Sequence, residues 1–252
     1  MDGERRGGVA IVTGGARGIG RACAHALAEK GFDIALVDVL VPEMECTRDE
    51  IEALGRGALV YEADVAVFSR AQEVVDDVVA RWGRVDFLLN NAGRSMPKGL
   101  LEISEEEWDR TLDINLKSCF NWCRAAVPVM QAQGDGRIAN MSSLNAHTGG
   151  VTTAVSKFAY GAAKAGILGL TRALAKELGP TIHINAICPG VIETERGNAL
   201  TRSRGTELAQ GICLQRLGTP RDVANLVAFL ATAEPSFMTG QSIVLDGFQW
   251  IA

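Results

Sequence analysis

The stretch "VAIVTGGARGIGRACAHAL", residues 9–27, joins an apolar run to a helical pattern through a turn rich in glycine. The apolar run is typical of a strand that is buried on both faces of a parallel sheet. Gly14, Gly18 and Gly20 follow it and let the backbone turn tightly and approach a pyrophosphate, to which the free N–H groups of the following helix can bind. This stretch therefore predicts the first strand, turn and helix of a dinucleotide-binding domain.

An acidic residue follows at the distance that such a domain requires. Asp38 ends the second predicted strand, 18 residues after Gly20. A carboxylate there accepts hydrogen bonds from the adenosine ribose and repels a 2′-phosphate, which favours NAD over NADP. Arg17, inside the turn, can pair with that phosphate, so NADP is the alternative. The structural alternative is a glycine turn that binds no ligand, and the position of Asp38 at the end of the second strand makes that alternative less favoured.

The alternation of strand and helix continues along the chain. Apolar runs occur at residues 9–13, 33–38, 58–64, 85–90, 137–142, 183–188 and 242–246, with helical patterns between them. Ser69 and Thr219 are predicted to cap two of these helices. We expect one α/β domain over 1–252, a Rossmann-like doubly wound fold with a seven-stranded, mostly parallel sheet and helices on both faces. A loose N-terminus is expected at 1–8 and a substrate lid at 194–217.

The composition excludes several classes of protein. The chain has 252 residues, 47% of them hydrophobic, and a formal net charge of −5, which does not suit nucleic-acid binding. No apolar run approaches the length of about 20 residues that a membrane helix needs, so no membrane association and a cytoplasmic location are expected. The six cysteines show neither zinc spacing nor disulfide density, and no metal site is predicted.

Seven motifs, of which the glycine turn is the first, occur in a fixed order: "TGGARGIG" (13–20), "NNAG" (90–93), "DINLKS" (113–118), "MSS" (141–143), "YGAAK" (160–164), "PGVIET" (189–194) and "MTGQSIVLDG" (238–247). In this order and at these distances they closely resemble the short-chain dehydrogenase/reductase family, in its single-domain branch. The resemblance covers nearly the whole chain. It implies an oxidoreductase that interconverts a secondary alcohol and a ketone by hydride transfer with NAD or NADP.

The resemblance also implies a catalytic set of Asn115, Ser143, Tyr160 and Lys164. Tyr160 and Lys164 lie four residues apart, on one face of a helix. An ammonium there stabilises the phenolate, so that the phenol can serve as acid and base at neutral pH. Ser143 would bind the substrate oxygen, Lys164 would also bind the nicotinamide ribose, and Asn115 would place a water that links Lys164 to solvent.

A larger set of cofactor-binding residues is implied by the same resemblance. Asp64 and Val65 would flank the adenine, and Thr194 would contact the nicotinamide carboxamide. A strand-end turn at Asp64 and a helix cap at Thr194 are the structural alternatives. The full set is Gly14, Arg17, Gly18, Ile19, Gly20, Asp38, Asp64, Val65, Asn91, Gly93, Tyr160, Lys164, Pro189, Gly190, Ile192 and Thr194.

One spacing departs from the family pattern. Ser143 and Tyr160 are 17 positions apart, which is wider than the family commonly has. The long loop 144–159 is either a tolerated surface insertion or part of the substrate wall, with Asn145 and His147 near the reacting oxygen. The same spacing leaves Ser142 as an alternative to Ser143.

Three functions are compatible with these residues. The first is an NAD-dependent dehydrogenase of a small secondary alcohol or carbonyl compound. The second is a 3-oxoacyl-(acyl-carrier-protein) reductase, a class that usually takes NADPH, and the third is a non-catalytic dinucleotide sensor or partner-binding protein on the same fold. The family resemblance implies a homotetramer, in which the apolar C-terminus around Trp250 would be buried.

Overall fold

A central parallel sheet organises the chain, of which the computed structural model describes residues 7–150, 156–195 and 205–249. Seven strands form it in the order β3-β2-β1-β4-β5-β6-β7, and every neighbouring pair is parallel. The strands are β1 (Gly8–Thr13), β2 (Phe32–Asp38), β3 (Ala58–Glu62), β4 (Phe87–Asn90), β5 (Gly136–Met141), β6 (Ile182–Pro189) and β7 (Ser242–Leu245). The predicted fold class is therefore confirmed.

Helices connect successive strands. They are α1 (Gly18–Glu29), α2 (Val41–Ala53), α3 (Phe68–Trp82), α4 (Glu105–Leu112), α5 (Ser118–Gln133), α6 (Asn145–Thr148), α7 (Phe158–Leu178), α8 (Gly205–Gln210) and α9 (Pro220–Thr232). A π-helical turn, Asp113–Lys117, joins α4 to α5. Thr219 caps α9 as predicted, through a capping box with Asp222. The predicted cap at Ser69 is wrong, because α3 begins at Phe68 and its N-cap, Val67, forms no side-chain bond.

The sheet is buried on both faces, which explains why its strands read as continuous apolar runs. Ala10 and Val12 of β1 pack into a core with α1, α2 and α9. Val9 and Ile11 point to the opposite core, which is formed with α3, α5 and α7 and centred on the fully buried Trp122.

The order of the strands creates a crevice. β1 pairs with β2 on one side and with β4 on the other, so the connections leave β1 and β4 in opposite directions. In doubly wound sheets, ligands bind at this switch point, outside the carboxyl ends of the strands. Thr13, Asp38 and Asn90, the last residues of β1, β2 and β4, lie at that edge.

Within the described ranges, no helix is long and apolar enough to cross a membrane. A cluster of at least three His, Cys, Asp or Glu side chains suited to a metal ion is likewise absent from that part of the chain. All six cysteines are free thiols, and four of them are buried in the cores. Residues 1–6 and Trp250, on which the expectations about the chain ends rest, lie outside the described residues.

Candidate active site

A cleft of about 530 Å³ lies at the switch point. Its wall combines the glycine turn after β1 with the ends of β2, β3 and β4. The predicted cofactor residues that line it are Gly14, Arg17, Gly18, Ile19, Gly20, Asp38, Asp64, Val65, Asn91, Gly93 and Thr194. The structure thus brings together eleven of the predicted residues from five separate segments.

The glycine turn is held in shape by close backbone contacts. A Cβ atom at Gly20 would collide with the carbonyl oxygen of Gly14, so no other residue fits there. The side-chain amide of Asn91 donates to the carbonyl oxygens of Thr13 at 3.0 Å and Gly14 at 3.2 Å. Asn91 therefore fastens the turn to the end of β4, and its side chain positions the backbone.

Asp38 is fixed at the rim of the cleft by backbone donors. Its Oδ1 accepts hydrogen bonds from the amides of Val39 at 2.7 Å and Leu40 at 3.3 Å. Its Oδ2 accepts a bond of 3.3 Å from the amide of Ala16, inside the glycine turn. The carboxylate therefore stands between the turn and the segment after β2.

Asp64 forms the opposite part of the wall with a partner that the sequence did not suggest. Its Oδ2 accepts a 2.6 Å bond from the guanidinium of Arg110, on α4, and its Oδ1 accepts a 3.0 Å bond from the amide of Ala66. Partial burial raises the pKa of Asp64, but the Ala66 amide and Arg110 outweigh it, so the pKa lies below its ordinary value. Asp64 is thus a charged residue with a fixed orientation.

Thr194 covers the glycine turn from the other side. A Cβ atom at Gly18 would lie 3.6 Å from the Thr194 side chain. The segment before Thr194 is held by Gly218, whose carbonyl oxygen accepts from the Glu193 amide at 2.8 Å and whose amide donates to Val191 at 3.0 Å. This pairing ties the entrance of the predicted lid to the residues just before α9.

Tyr160 and Lys164 lie in the first turns of α7, as the spacing predicts. The Nζ of Lys164 is 5.6 Å from the centroid of the Tyr160 ring. Lys164 is buried, and its Nζ donates a 2.7 Å bond to the carbonyl oxygen of Met141, the last residue of β5. An ammonium has three protons to donate, so two remain for other partners. Tyr160 itself is half-buried, which leaves its ring accessible.

The structure separates the roles of the two serines. Ser142 is buried and its Oγ donates to the backbone oxygen of Lys164 at 2.7 Å, so its hydroxyl positions α7. Ser143 is half-buried, and its Oγ accepts a 3.2 Å bond from the amide of Asn145. The hydroxyl proton of Ser143 can therefore still be donated to a ligand. The geometry favours Ser143 over the alternative, Ser142.

Asn115 is fully buried in the π-helical turn between α4 and α5. Its Nδ2 donates to the carbonyl oxygens of Arg94 at 2.9 Å and Thr111 at 3.0 Å, and its Oδ1 accepts from the Arg94 amide at 3.0 Å. A Cβ atom at Gly93 would lie 2.9 Å from Oδ1 and 3.4 Å from the Nζ of Lys164. Glycine at position 93 thus keeps open the space next to both polar groups.

Three predicted cofactor residues at the end of β6 and just after it are not part of the cleft lining. Pro189 accepts a bond of 2.9 Å from Leu144, and Gly190 donates one of 3.0 Å to Leu245. Ile192 packs on the core beside α1 and α9. Tyr160 and Lys164 also lie outside the lining of this cleft. The cleft residues that sequence reasoning missed are Val39, Leu40, Ala63, Ala92, Arg94, Arg110 and Ile114.

The long loop and the lid are described only in part. Asn145 and His147 are half-buried in α6, and the Asn145 carbonyl lies 3.7 Å from the Cβ position of Gly161, the residue after Tyr160. Their predicted contact with substrate stays a prediction. Residues 151–155 of the loop and 196–204 of the lid lie outside the described residues.

Comparison with known proteins gives consistent matches over almost the entire chain. A family model described as enoyl-(acyl carrier protein) reductase matches residues 14–247. The chain is 38% identical to the 3-oxoacyl-[acyl-carrier-protein] reductase FabG of Staphylococcus epidermidis over 94% of this chain and 97% of that protein. It is 37% identical to the oxidoreductase UcpA of Salmonella typhimurium, over 97% of this chain and 95% of UcpA.

Solved structures show the same similarity. A short-chain dehydrogenase/reductase of Brucella melitensis, described as a glucose/ribitol dehydrogenase, superposes with a TM-score of 0.90 at 31% identity, covering 100% of both chains. A short-chain type dehydrogenase/reductase of Mycobacterium marinum gives a TM-score of 0.89 at 32% identity, covering 96% of this chain and 95% of that one.

Proposed function

The chain belongs to the short-chain dehydrogenase/reductase family and is an oxidoreductase acting on CH–OH and C=O groups, and we propose that it is an NAD-dependent dehydrogenase of a secondary alcohol. Tyr160 is its general acid and base. Asn115, Ser143 and Lys164 complete the catalytic set, and the cofactor residues predicted from the sequence bind the dinucleotide.

One observation supports NAD as the cofactor: the Asp38 carboxylate stands at the rim of the cleft, held by three backbone amides. A 2′-phosphate placed beside it would meet a fixed negative charge, whereas two ribose hydroxyls would meet a hydrogen-bond acceptor. NADP is the alternative, favoured by Arg17 in the turn and by the similarity to 3-oxoacyl-[acyl-carrier-protein] reductases.

The residues present fit a dinucleotide. The cleft of about 530 Å³ is in the size range of small-molecule sites, and Gly20 and Gly93 leave open the space that a side chain would fill. The N-terminus of α1 directs its unpaired amides to the turn, as a diphosphate requires. When bound, the nicotinamide ring supplies or takes up the hydride.

The chain's own groups would handle the proton and the orientation of the substrate. Ser143, whose Oγ already accepts from the amide of Asn145, donates a hydrogen bond to the substrate oxygen and holds that oxygen near Tyr160. Tyr160 gives its phenolic proton to that oxygen during reduction and takes it back during oxidation. Lys164, anchored on the carbonyl oxygen of Met141, has its Nζ beside the ring, where an ammonium stabilises the phenolate.

The test compares the two tyrosines of the chain. Reduced-nicotinamide absorbance is followed with NAD⁺ and with NADP⁺ over secondary alcohols, polyols, hydroxysteroids and 3-hydroxyacyl thioesters. We expect NAD⁺-linked turnover that falls by about 100-fold or more in Tyr160→Phe, the scale of general acid–base catalysis. Tyr61→Phe is the matched control, because Tyr61 bonds Asp77 on α3, and it should keep parental turnover. Equal rates in the parent and in Tyr160→Phe would refute the role of Tyr160.

A second variant addresses the cofactor. Asp38→Asn keeps an acceptor for the backbone amides but removes the charge, so the preference should move toward NADP⁺ by at least about tenfold. If the parent showed turnover only with NADP⁺, the better description would be a 3-oxoacyl-(acyl-carrier-protein) reductase, in line with the similarity to that class. If the parent bound dinucleotide without any turnover, the non-catalytic sensor would be the better description.

A homotetramer remains our proposal for the assembly. Several large apolar side chains are exposed, among them Phe120 on α5, Phe229 on α9 and Phe248 after β7. Apolar side chains of this size suit contacts with further copies. Light scattering coupled to gel filtration tests this directly, and a monomeric mass would refute it.

A further inference from the structure

Arg94 occupies a position that the proposed reaction has not used. It directly follows the "NNAG" segment, its side chain is exposed, and it lines the cleft. Its backbone is fixed on both sides by the amide of Asn115. The preceding residue, Gly93, has its Cβ position 3.4 Å from the Nζ of Lys164. Arg94 is therefore held at the part of the cleft wall that adjoins Asn115 and Lys164.

Arg94 has no carboxylate partner in the part of the chain that the structure describes. Neighbouring cations have carboxylate partners: Lys98 pairs with Glu107, and Arg110 pairs with Asp64. Within 7–150, 156–195 and 205–249, no carboxylate pairs with Arg94 or with Lys157. An uncompensated guanidinium that faces a cleft attracts an anion.

Lys157 lies close to the same loop. Its backbone amide donates a 2.7 Å bond to the carbonyl oxygen of Met96, two residues after Arg94, and it is the N-cap of α7, three residues before Tyr160. Two basic residues thus lie on adjoining segments, the loop after β4 and the start of the helix that carries Tyr160.

The phosphates of the dinucleotide are a poor match for Arg94. A diphosphate is expected at the N-terminus of α1, where Arg17 and Gly18 lie. Arg94 is beside Asn115 and Lys164 instead, on the part of the wall expected to face the nicotinamide ribose and the reacting carbonyl.

We propose that the substrate is a carboxylate-bearing alcohol or ketone, a hydroxy acid or oxo acid, whose carboxylate is bound by Arg94 with Lys157 adding charge. This inference rests on the proposed dehydrogenase function. The planar guanidinium of Arg94 can form two parallel hydrogen bonds with a carboxylate, which fixes the direction of the substrate as well as its affinity.

Binding to the NAD⁺ complex tests the inference without turnover. Acetoacetate and levulinate, each with its methyl ester, are titrated calorimetrically into the protein saturated with NAD⁺. We expect at least one acid to bind about 10- to 100-fold more tightly than its ester, the effect of charge-assisted hydrogen bonds. Arg94→Ala should abolish this preference, and Arg94→Lys should restore part of it.

Two controls separate binding by Arg94 from damage to the site. The Asn115 contacts involve only the backbone of Arg94, so the substitutions leave them intact, and the dissociation constant of NAD⁺ should stay within about twofold. Lys98→Ala removes a paired cation from the same loop and should keep the acid preference.

The possible results exclude one another. If acid and ester bind equally, or if neither binds, the inference is overturned. Weaker NAD⁺ binding in Arg94→Ala, without loss of the acid preference, would assign Arg94 to the cofactor and also overturn it. If neutral ketones alone are turned over, through Tyr160, the proposed function stands and this inference fails. If the Arg94-dependent acid preference appears without any turnover, the carboxylate site stands and the dehydrogenase function fails.

Discussion

The side chain of Asn115 bonds both backbone groups of Arg94, accepting from its amide at 3.0 Å and donating to its carbonyl oxygen at 2.9 Å. The side-chain amide thus makes the pair of donated and accepted hydrogen bonds that the backbone of a neighbouring strand makes in a β-sheet. Through this pair, the π-helical turn between α4 and α5 holds the segment that follows β4. The amide of Asn115 thus sets the wall of the cleft, in addition to its proposed role in relaying protons.

Replacing Asn115 with alanine should therefore affect stability as well as turnover. It leaves two backbone groups of Arg94 without their partner, which costs about 1–3 kcal/mol of unfolding free energy. Asn185→Ala is the matched control, because Asn185 forms the same type of pair with Met238 and Gln241, away from the cleft. Urea titration should give similar losses of stability for both variants, whereas only Asn115→Ala should lose turnover per folded molecule. Equal turnover in both variants would contradict the assignment.

Gly20→Ala should prevent dinucleotide binding. The added Cβ collides with the carbonyl oxygen of Gly14, a backbone atom that cannot move without opening the turn. The control is Gly169→Ala on the exposed side of α7, where a Cβ meets nothing within 4 Å and alanine favours the helix. Fluorescence titration with NADH should show a loss of at least about 100-fold for Gly20→Ala and none for Gly169→Ala. Unchanged affinity in Gly20→Ala would mean that the turn is not the binding site.

Local sequence patterns predicted the parts of this structure that depend on neighbours in the chain. Strands buried on both faces have a simple signature, because Ile11 and Val12 must both be apolar when each faces a core. The helix start at Thr219 and the helix end at Gly83, with φ of 76°, also follow from local chemistry. Ser69 does not cap α3, because the helix begins at Phe68 with Val67 as its N-cap, so that Ser69 already lies inside the first turn.

Contacts between distant segments could not be predicted in this way. Arg110 and Asp64 are separated by 46 positions, and their ion pair exists only because the fold brings α4 next to the segment after β3. Arg94 directly follows the "NNAG" motif, in which the sequence pattern singled out Gly93. The hydrogen bonds between the backbone of Arg94 and Asn115 depend on the π-helical turn, which the hydrophobic periodicity did not predict. The cleft wall is therefore predictable at the strand ends and unpredictable where helices complete it.

The Arg110–Asp64 pair gives a further prediction, on cofactor affinity. Without the guanidinium, Asp64 loses one of the partners that fix its orientation, and its lowered pKa should rise toward the ordinary value. We expect Arg110→Ala to raise the dissociation constant of NADH by about five- to tenfold, with kcat little changed. Lys98→Ala removes a comparable pair with Glu107 and should leave the affinity unchanged. An unchanged NADH affinity in Arg110→Ala would show that Asp64 needs no such support.

The capping box at the start of α9 predicts a dependence of stability on pH. Asp222 accepts hydrogen bonds from Arg216 at 2.7 Å and from the Thr219 amide at 2.7 Å, and Arg216 contributes most to holding the pKa of this carboxyl well below its usual range. The pKa of Asp222 in the unfolded chain is about 3.9. Because the folded pKa is lower, the stabilisation is fully present above that value and is lost as the pH falls toward the folded pKa.

Asp222→Asn should therefore lower the unfolding free energy by about 1–2 kcal/mol near pH 7, through loss of the cap and of negative charge at the N-terminus of the helix. The difference between parent and variant should shrink as the pH is lowered from about 5 to about 3, since the unfolded parent then takes up a proton at Asp222 that the folded parent does not. Glu73→Gln provides the comparison, because Glu73 pairs with Arg70 on the exposed surface of α3. This variant should change the unfolding free energy by less than about 0.5 kcal/mol at any pH. Chemical denaturation across this pH range measures all three proteins, and a difference that stayed constant down to pH 3 would show that the Asp222 charge does not stabilise α9.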